Sequence, residues 1–271
     1  FILPCGILAI LLKKIFRLRV VITAHGGDVP SHQPEQTKDL FRFFKPIAQY
    51  VIKHADHIHA VSKGIVRKIK NDFIVEDNKI MMIPNSIKFK SINTHKEAPV
   101  KFLFLGRISP EKNLAFILDC LNEVHEDFEF FIVGSGDVED LKLQVLKSNL
   151  KEKFHFTGWL DKAEIKKYLT KCHYLILHSS TEGLSMAGLE ANMYGLPIIG
   201  SDVEGIRDFI TENINGYMTP LKDKRSFIGM IERSCKNMDH YESLSNSSKL
   251  YIRTYFDLSS NIQKFIQLLK V

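Results

Sequence analysis

The 271-residue sequence predicts an α/β protein whose parallel sheets are covered on both faces and shared between two domains. Three observations carry this prediction. From residue 100 to residue 236, strand-like apolar runs alternate with helical periodicity across short connections. The low-apolar run Lys88 to Ala98 is the one stretch that reads as a linker. Finally, the polar and glycine-rich motifs fall just after predicted strands, at the edge where parallel sheets hold ligands.

Taken in order, Leu8 to Arg19 reads as a helix with basic residues along one side, running into a strand at Val20 to Thr23. The helix is either a plain surface helix or one lying at a membrane interface. Next comes Thr23-Ala24-His25-Gly26-Gly27-Asp28, a turn whose paired glycines let backbone approach a ligand at a strand's carboxyl end. His25 there either caps the turn or faces a ligand. Leu40, Phe43, Phe44, Ile47, Tyr50 and Val51 recur at helical spacing within Lys38 to Lys53. A strand at Ile58 to Val61, a helix capped by Ser62 and a strand at Ile80 to Ile83 follow, and Pro84-Asn85-Ser86 closes the first domain. The expected organisation is therefore a partial first domain over 1–90, a linker over 91–99, a second domain over 100–240 and terminal helices over 241–271.

In the second domain the strands are predicted near 101–105, 128–133, 153–157, 174–178, 197–200 and 216–218. Helices are predicted near 110–124, 137–149, 162–171, 186–195, 204–212 and 223–236, then roughly 240–252 and 257–270. After the first strand, Gly106-Arg107-Ile-Ser-Pro-Glu-Lys112 puts two cations on a loop entering a helix, with Ser109 as cap and Pro110 at the first helical position. Arg107 and Lys112 are either solvated basic residues or countercharges for a diphosphate. Gly134-Ser-Gly136 falls short of a dinucleotide fingerprint and is explained by a tight turn. Beyond the fourth strand, Glu182-Gly183-Leu184-Ser185-Met-Ala-Gly-Leu-Glu190 sets two carboxylates eight residues apart, across a small-residue loop and the start of a helix that Ser185 caps. The positive end of that helix favours a phosphate. The competing reading is a capped helix carrying two solvated acids.

The stretch Glu182 to Glu190, continued by Ala191 to Ile199 and Gly205, resembles the E-x7-E signature of glycosyltransferase family 4. Other pieces fall in that family's order: Ala55 to Ser62, Ile83-Pro84-Asn85, Gly106-Arg107 with Glu111-Lys112, Val133 to Gly136, and Phe156-Thr-Gly158. The resemblance implies the GT-B fold, two Rossmann-like domains facing a cleft, here with the amino-terminal one incomplete. It implies a retaining glycosyltransferase that moves a sugar from a nucleoside diphosphate to an acceptor hydroxyl, without a prosthetic group and without a required metal.

The same resemblance distributes the roles. Arg107, Lys112 and the backbone of Gly183, Leu184 and Ser185 would stabilise the leaving diphosphate. Glu190 would hold the ribose hydroxyls, Glu182 would orient the sugar, and Trp159 and Leu160 would line the base. His25 would face the sugar from the first domain, with Gly27 and Asp28 on the acceptor side. Two departures are visible. Asn113 stands where the family commonly has Gly, and Ser86 where it more often has Gly.

Composition narrows the classes. The four cysteines are far apart and form no C-x-x-C pair, which predicts unreactive thiols, a reducing cytoplasmic setting and no structural zinc. No D-x-D triplet occurs. Residues 1–100 carry 16 Lys and Arg against 8 Asp and Glu, so the basic character of the chain lies there. Such a face attracts nucleic acid, an anionic membrane surface or a phosphorylated acceptor; no motif supports the first, and the resemblance implies a glycan or lipid-linked acceptor. The apolar run Ile7 to Leu12 is too short to span a bilayer. Phe1 begins in mid-pattern, so residues carrying a first strand and a glycine-rich loop are expected upstream. A nucleotide-sugar epimerase or a phosphorylase on the same fold, and a non-catalytic nucleotide-sugar-binding module, are the alternatives.

Overall fold

A computed structural model describes residues 2–26, 29–30, 35–92, 94 and 96–270. The chain divides into two compact units, Phe1–Ser86 with Glu182–Leu184 and Leu258–Val271, and Ile87–Thr181 with Ser185–Asp257.

The first unit holds a three-stranded parallel sheet, β1 (Val21–Ala24), β2 (His57–Ala60) and β3 (Ile80–Met82), in that order. Its helices are α1 (Cys5–Phe16), α2 (Glu35–His54), α3 (Lys63–Asp72) and the last helix of the chain, Leu258–Lys270. Ser62 starts α3 as expected, its hydroxyl accepting from the Ile65 N–H at 3.2 Å, and Ile65 and Ile69 form the buried stripe one turn apart. Helix α1 is tied down by Lys13, whose ammonium reaches the Asp56 carboxylate at 2.6 Å and the His54 carbonyl at 2.9 Å. Asp56 also accepts from the Val20 N–H at 2.8 Å. Burial alone would raise the Asp56 pKa, but these hydrogen bonds and the charges of Lys13 and Arg19 hold it below the usual range. The buried His59 ring contacts the Ile83 carbonyl at 2.7 Å and meets Phe265 edge-on at 5.1 Å. Burial keeps that imidazole neutral by lowering its pKa.

The second unit holds six parallel strands: β4 (Val100–Leu105), β5 (Phe128–Val133), β6 (Phe154–Gly158), β7 (Tyr174–Leu177), β8 (Ile198–Ser201) and β9 (Gly216–Thr219). Their order is β6-β5-β4-β7-β8-β9, the doubly wound pattern. The helices are α4 (Leu114–Leu121), α5 (Glu139–Leu146), α6 (Lys162–Lys171), α7 (Met186–Met193), α8 (Glu204–Arg207), α9 (Lys224–Lys236) and α10 (Met238–Tyr255), so the last helix is α11. Every residue of β7 and β8 is buried, which is why β7 reads as an unbroken apolar run and β8 opens on Ile198-Ile199. Phe102 of β4 is fully buried between Tyr174, stacked at 5.8 Å, and Phe128, edge-on at 6.1 Å.

Several helices depart from their predicted spans: α1 runs over Cys5–Phe16 in place of Leu8 to Arg19, and α5 over Glu139–Leu146 in place of 137–149. The helix expected over 110–124 is a 3-10 turn at Pro110–Lys112 followed by α4, because Asn113 takes a left-handed conformation with φ of 53°. Ser109 makes no side-chain cap there. The helix expected over 204–212 stops at Arg207. Cys5 is exposed, whereas burial drives the Cys120, Cys172 and Cys235 thiols up to about 12 and leaves them inert.

Truncating Phe102 to Ala removes the ring that joins β4, β5 and β7, and is expected to cost about 3–5 kcal/mol. Urea unfolding of the variant checks this.

Candidate functional site

Strand order decides where a ligand can sit in the second unit. From β4 the chain runs outward through β5 and β6, and from β7 it runs the opposite way through β8 and β9. The loops leaving β4 and β7 therefore flank the switch point of the sheet, the place where open α/β sheets hold ligands. Arg107 and Lys112 are on the loop after β4, while Ser185 and Glu190 follow β7.

Hydrogen bonds lock the two loops together. The Ser180 N–H donates to the Glu111 carbonyl at 2.8 Å, and the Asn113 side-chain amide donates to the His178 carbonyl at 3.0 Å. Asn113 reaches that carbonyl from a left-handed backbone, a conformation Asn accepts more readily than other non-glycine residues, so the departure from Gly is accommodated. On its other side, the β4 loop rests on the turn after β5. The Ile108 N–H donates to the Ser135 carbonyl at 2.8 Å, and a Cβ on Gly134 or Gly136 would collide with the backbone of Gly106 or Ile108. The two glycines that sequence alone explained as a tight turn thus let the Arg107 loop lie directly against β5.

Arg107 is exposed and pairs with Glu111 at 3.3 Å. Burial would raise the Glu111 pKa, but hydrogen bonding and the charges of Arg107 and Lys112 outweigh it and hold the carboxyl below its ordinary value. Sequence reasoning gave Glu111 no role. Its four-residue spacing from Arg107 was the available signal, weakened because that spacing pairs side chains only once a helical turn is in place.

Ser185 caps α7 as predicted, its hydroxyl accepting from the Gly188 N–H at 3.2 Å. The remaining N–H groups of the first turn and the positive helix end lie beyond the carboxyl end of β7. Glu190 is half-buried, one and a half turns inside α7. Among the described residues its carboxyl has no hydrogen-bond or ion-pair partner. Burial raises its pKa, with Lys162 pulling the other way. This side chain is ionisable, partly desolvated and unsatisfied, unlike a solvated surface acid. Trp159 and Leu160 lie on the loop after β6, with β5 between them and β4. Trp159, the one tryptophan of the chain, is 75% exposed, so it is no core residue.

The remaining predicted residues belong to the first unit. His25 follows β1 and is exposed. Gly183 approaches it so closely that a Cβ would lie 2.3 Å from the His25 carbonyl oxygen. Leu184 is buried, and the Asn85 amide reaches its carbonyl at 3.5 Å. Glu182 belongs to this unit as well. Gly27 and Asp28 lie outside the described residues. Among the described residues, no group of three or more His, Cys, Asp or Glu is placed to hold a metal ion.

Comparison with known proteins places this arrangement. Residues 85–251, more than half of the chain, match the family model for group 1 glycosyl transferases, and residues 2–90 match that for glycosyltransferase family 4. The chain belongs to the group 1 glycosyltransferases. Relatives of this glycosyltransferase chain include an Escherichia coli UDP-Gal:alpha-D-GlcNAc-diphosphoundecaprenol alpha-1,3-galactosyltransferase, 28% identical over 79% of this chain and 59% of the relative. Another is the Escherichia coli lipopolysaccharide 1,6-galactosyltransferase, 26% identical over 79% of this chain and 62% of the relative. The chain thus spans about six-tenths of the length of these two relatives. Among solved structures, the Anabaena HepE protein in complex with UDP and glucose superposes with a TM-score of 0.83 at 17% identity, over 98% of this chain and 75% of that one. That likeness establishes the GT-B fold.

The Asn113 conformation gives a test of the loop lock. Asn113→Ala is expected to cost about 2 kcal/mol, from left-handed strain plus the lost hydrogen bond to His178. Asn113→Gly keeps the conformation and should cost about 1 kcal/mol for the bond alone. Chemical denaturation of both variants measures the difference.

Proposed function

We propose that this protein transfers a hexose, with retention of configuration, from a UDP-sugar to an acceptor hydroxyl in the synthesis of a cell-surface polysaccharide, lipopolysaccharide or glycolipid. The observation that carries the donor site is Glu190, a half-buried carboxylate without a partner, beside a capped helix end and two cations at the switch point. Hydroxyls of the ribose satisfy the carboxylate. The diphosphate takes Arg107 from its exposed pair with Glu111, a pair worth little in water, and receives Lys112 and the α7 amides as countercharge. As the bond to the sugar breaks, charge builds on the diphosphate and these fixed donors stabilise it. Cations and helix end supply this countercharge without a metal. His25 and Glu182, both in the first unit, are assigned to the sugar, and exposed Trp159 with Leu160 to the base. Support for UDP comes from the HepE complex and from the named galactosyltransferase.

The acceptor side of the proposal includes an anionic membrane surface. Helix α1 exposes Leu8, Leu11, Ile15 and Phe16, and α2 exposes Phe43 and Tyr50. Lys14 joins the two helices by a 2.6 Å bond to Tyr50, and Arg17 and Arg19 flank the face. Apolar residues bordered by cations suit the headgroup boundary of an anionic bilayer. Among the described residues no helix is long and apolar enough to cross a membrane.

Calorimetry with UDP tests the donor site. Hydroxyls donate to the ionised carboxylate, and Glu190 has a raised pKa, so affinity should rise with pH through that pKa and fall below it. Glu190→Gln should flatten this dependence and weaken binding about tenfold or more. Transfer should fall by about a hundredfold in Arg107→Ala. UDP binding without transfer by the chain extended upstream would identify a binding module instead. For the membrane face, the wild-type chain should co-sediment with phosphatidylglycerol vesicles and not with phosphatidylcholine, and Leu11→Glu with Ile15→Glu should abolish this.

A further inference from the structure

At the other end of the second unit's sheet, beside the amino-terminal ends of β4, β7 and β8, a cavity of about 200 Å³ is lined by Lys96, Tyr241, Glu242, Ser245, Asn246 and Lys249. It lies below the roughly 300 Å³ of pockets that take drug-sized ligands. Two ammonium groups share it. Lys96 donates to the Cys172 carbonyl and sits 5.8 Å from the Tyr241 ring centre, and Lys249 donates to the Ile92 carbonyl at 3.1 Å. Each ammonium has three N–H donors, so one backbone carbonyl leaves most of its capacity unused. Among the described residues neither lysine pairs with a carboxylate. The lining carboxylate, Glu242, is exposed.

We propose that this pocket binds a small phosphate-class oxyanion, inorganic phosphate or a phosphomonoester, between Lys96 and Lys249, with the Ser245 hydroxyl and Asn246 amide completing its shell. Lys96 is largely withdrawn from water and Lys249 partly so, their charges repel, and among the described residues neither has a counterion. A divalent oxyanion removes both penalties at once and offers acceptors to every unused donor. Burial first, and the Lys249 charge second, lower the Lys96 pKa to about 7, with Cys172 opposing. Burial lowers Lys249 as well. An anion favours the charged forms, so binding takes up a proton at and above neutrality.

The groups facing Lys96 allow this to be read cleanly. On the β7 side, burial and the charges of Lys96 and Lys101 hold His173 neutral with a pKa of about 3, and burial lifts Cys172 to about 12. On α10, burial pushes Tyr241 above its ordinary value, and Glu242 and Lys249 complete the set. Lys101 of β4 is the remaining cation nearby. His173, Cys172 and Tyr241 are pushed away from neutrality, so the two lysines, both lowered, are the groups that the pH dependence reports.

The test is calorimetric titration of the full chain with sulfate, which does not itself titrate in this range, against chloride at matched ionic strength. Sulfate should bind saturably at a site that survives Arg107→Ala, more weakly as pH rises from 6 to 9. Lys96→Arg should keep binding and reduce the pH dependence to the share that Lys249 carries. Lys249→Gln should weaken binding about tenfold or more, the loss of one charge-assisted contact, while Arg107→Ala binds as wild type. If Lys249→Gln fails to melt cooperatively, Glu242→Gln replaces it and should tighten binding by removing the rim carboxylate. Repeating the titration with inorganic phosphate and with glycerol phosphate distinguishes the sources, the tighter of the two naming the ligand. No saturable binding over chloride, or binding lost in Arg107→Ala and kept in Lys249→Gln, overturns the proposal.

Discussion

The parallel pairing of β4 with β7 is the constraint on which the second unit depends. Phe102 faces Tyr174 and Leu103 faces Leu175 across it, and the chain leaves these two strands in opposite directions. Reversal of the strand order at this pair makes its carboxyl edge the switch point, where open α/β sheets hold ligands. What the sequence adds is chemistry: cations on one loop, a capped helix start and a half-buried acid on the other. The carbonyls of Glu111 and His178 accept from the neighbouring loop and join the two loops into one frame.

Alternation of strand and helix in the second unit was legible because its strands are buried on both faces and its helices are amphipathic. Strand limits agree to within a residue or so, as for β5 at Phe128–Val133. What was not legible depends on backbone meeting backbone from distant parts of the chain. Asn113 breaks a continuous helical pattern with one positive φ, which periodicity does not register. Gly134 and Gly136 read as an incomplete phosphate motif, and their reason is steric, the passage of the Arg107 loop. Helix α1 was read as basic along one side, yet it buries only Gly6 and Ile10 and exposes most of its long apolar side chains. Linker-like composition around Lys96 gave no hint of a half-closed pocket, because its walls come from α10, about 150 residues later.

The candidate site residues were legible to differing degrees for the same reason. Ser185 needed only local grammar, a small polar residue before a helical run, and it caps as that grammar requires. Glu190 needed burial, which sequence gives only through periodicity, and its position on α7 leaves it part in and part out of solvent. Arg107 and Lys112 needed a partner to be intelligible, and Glu111 between them is that partner in the unliganded chain. Gly183 needed the backbone of His25, more than 150 residues earlier, before its lack of a side chain acquired a cause.

Charge in this chain is best understood by where it is desolvated and not by its net value of +6. Arg207 with Asp202, and Lys224 with Asp119 and Glu123, are exposed pairs that contribute little to stability because water competes for both partners. Lys13 with Asp56 is different, since a backbone N–H and a backbone carbonyl complete the pair and fix α1 against the first unit's sheet. Glu190, and the lysine pair Lys96 and Lys249, form a third class, in which desolvation is incurred without an ion-pair partner among the described residues. Desolvated charge of that kind raises the energy of the free protein and lowers the cost of binding whatever supplies the missing partner. The acid calls for hydroxyl donors and the lysines call for an oxyanion, and they stand at opposite edges of one sheet.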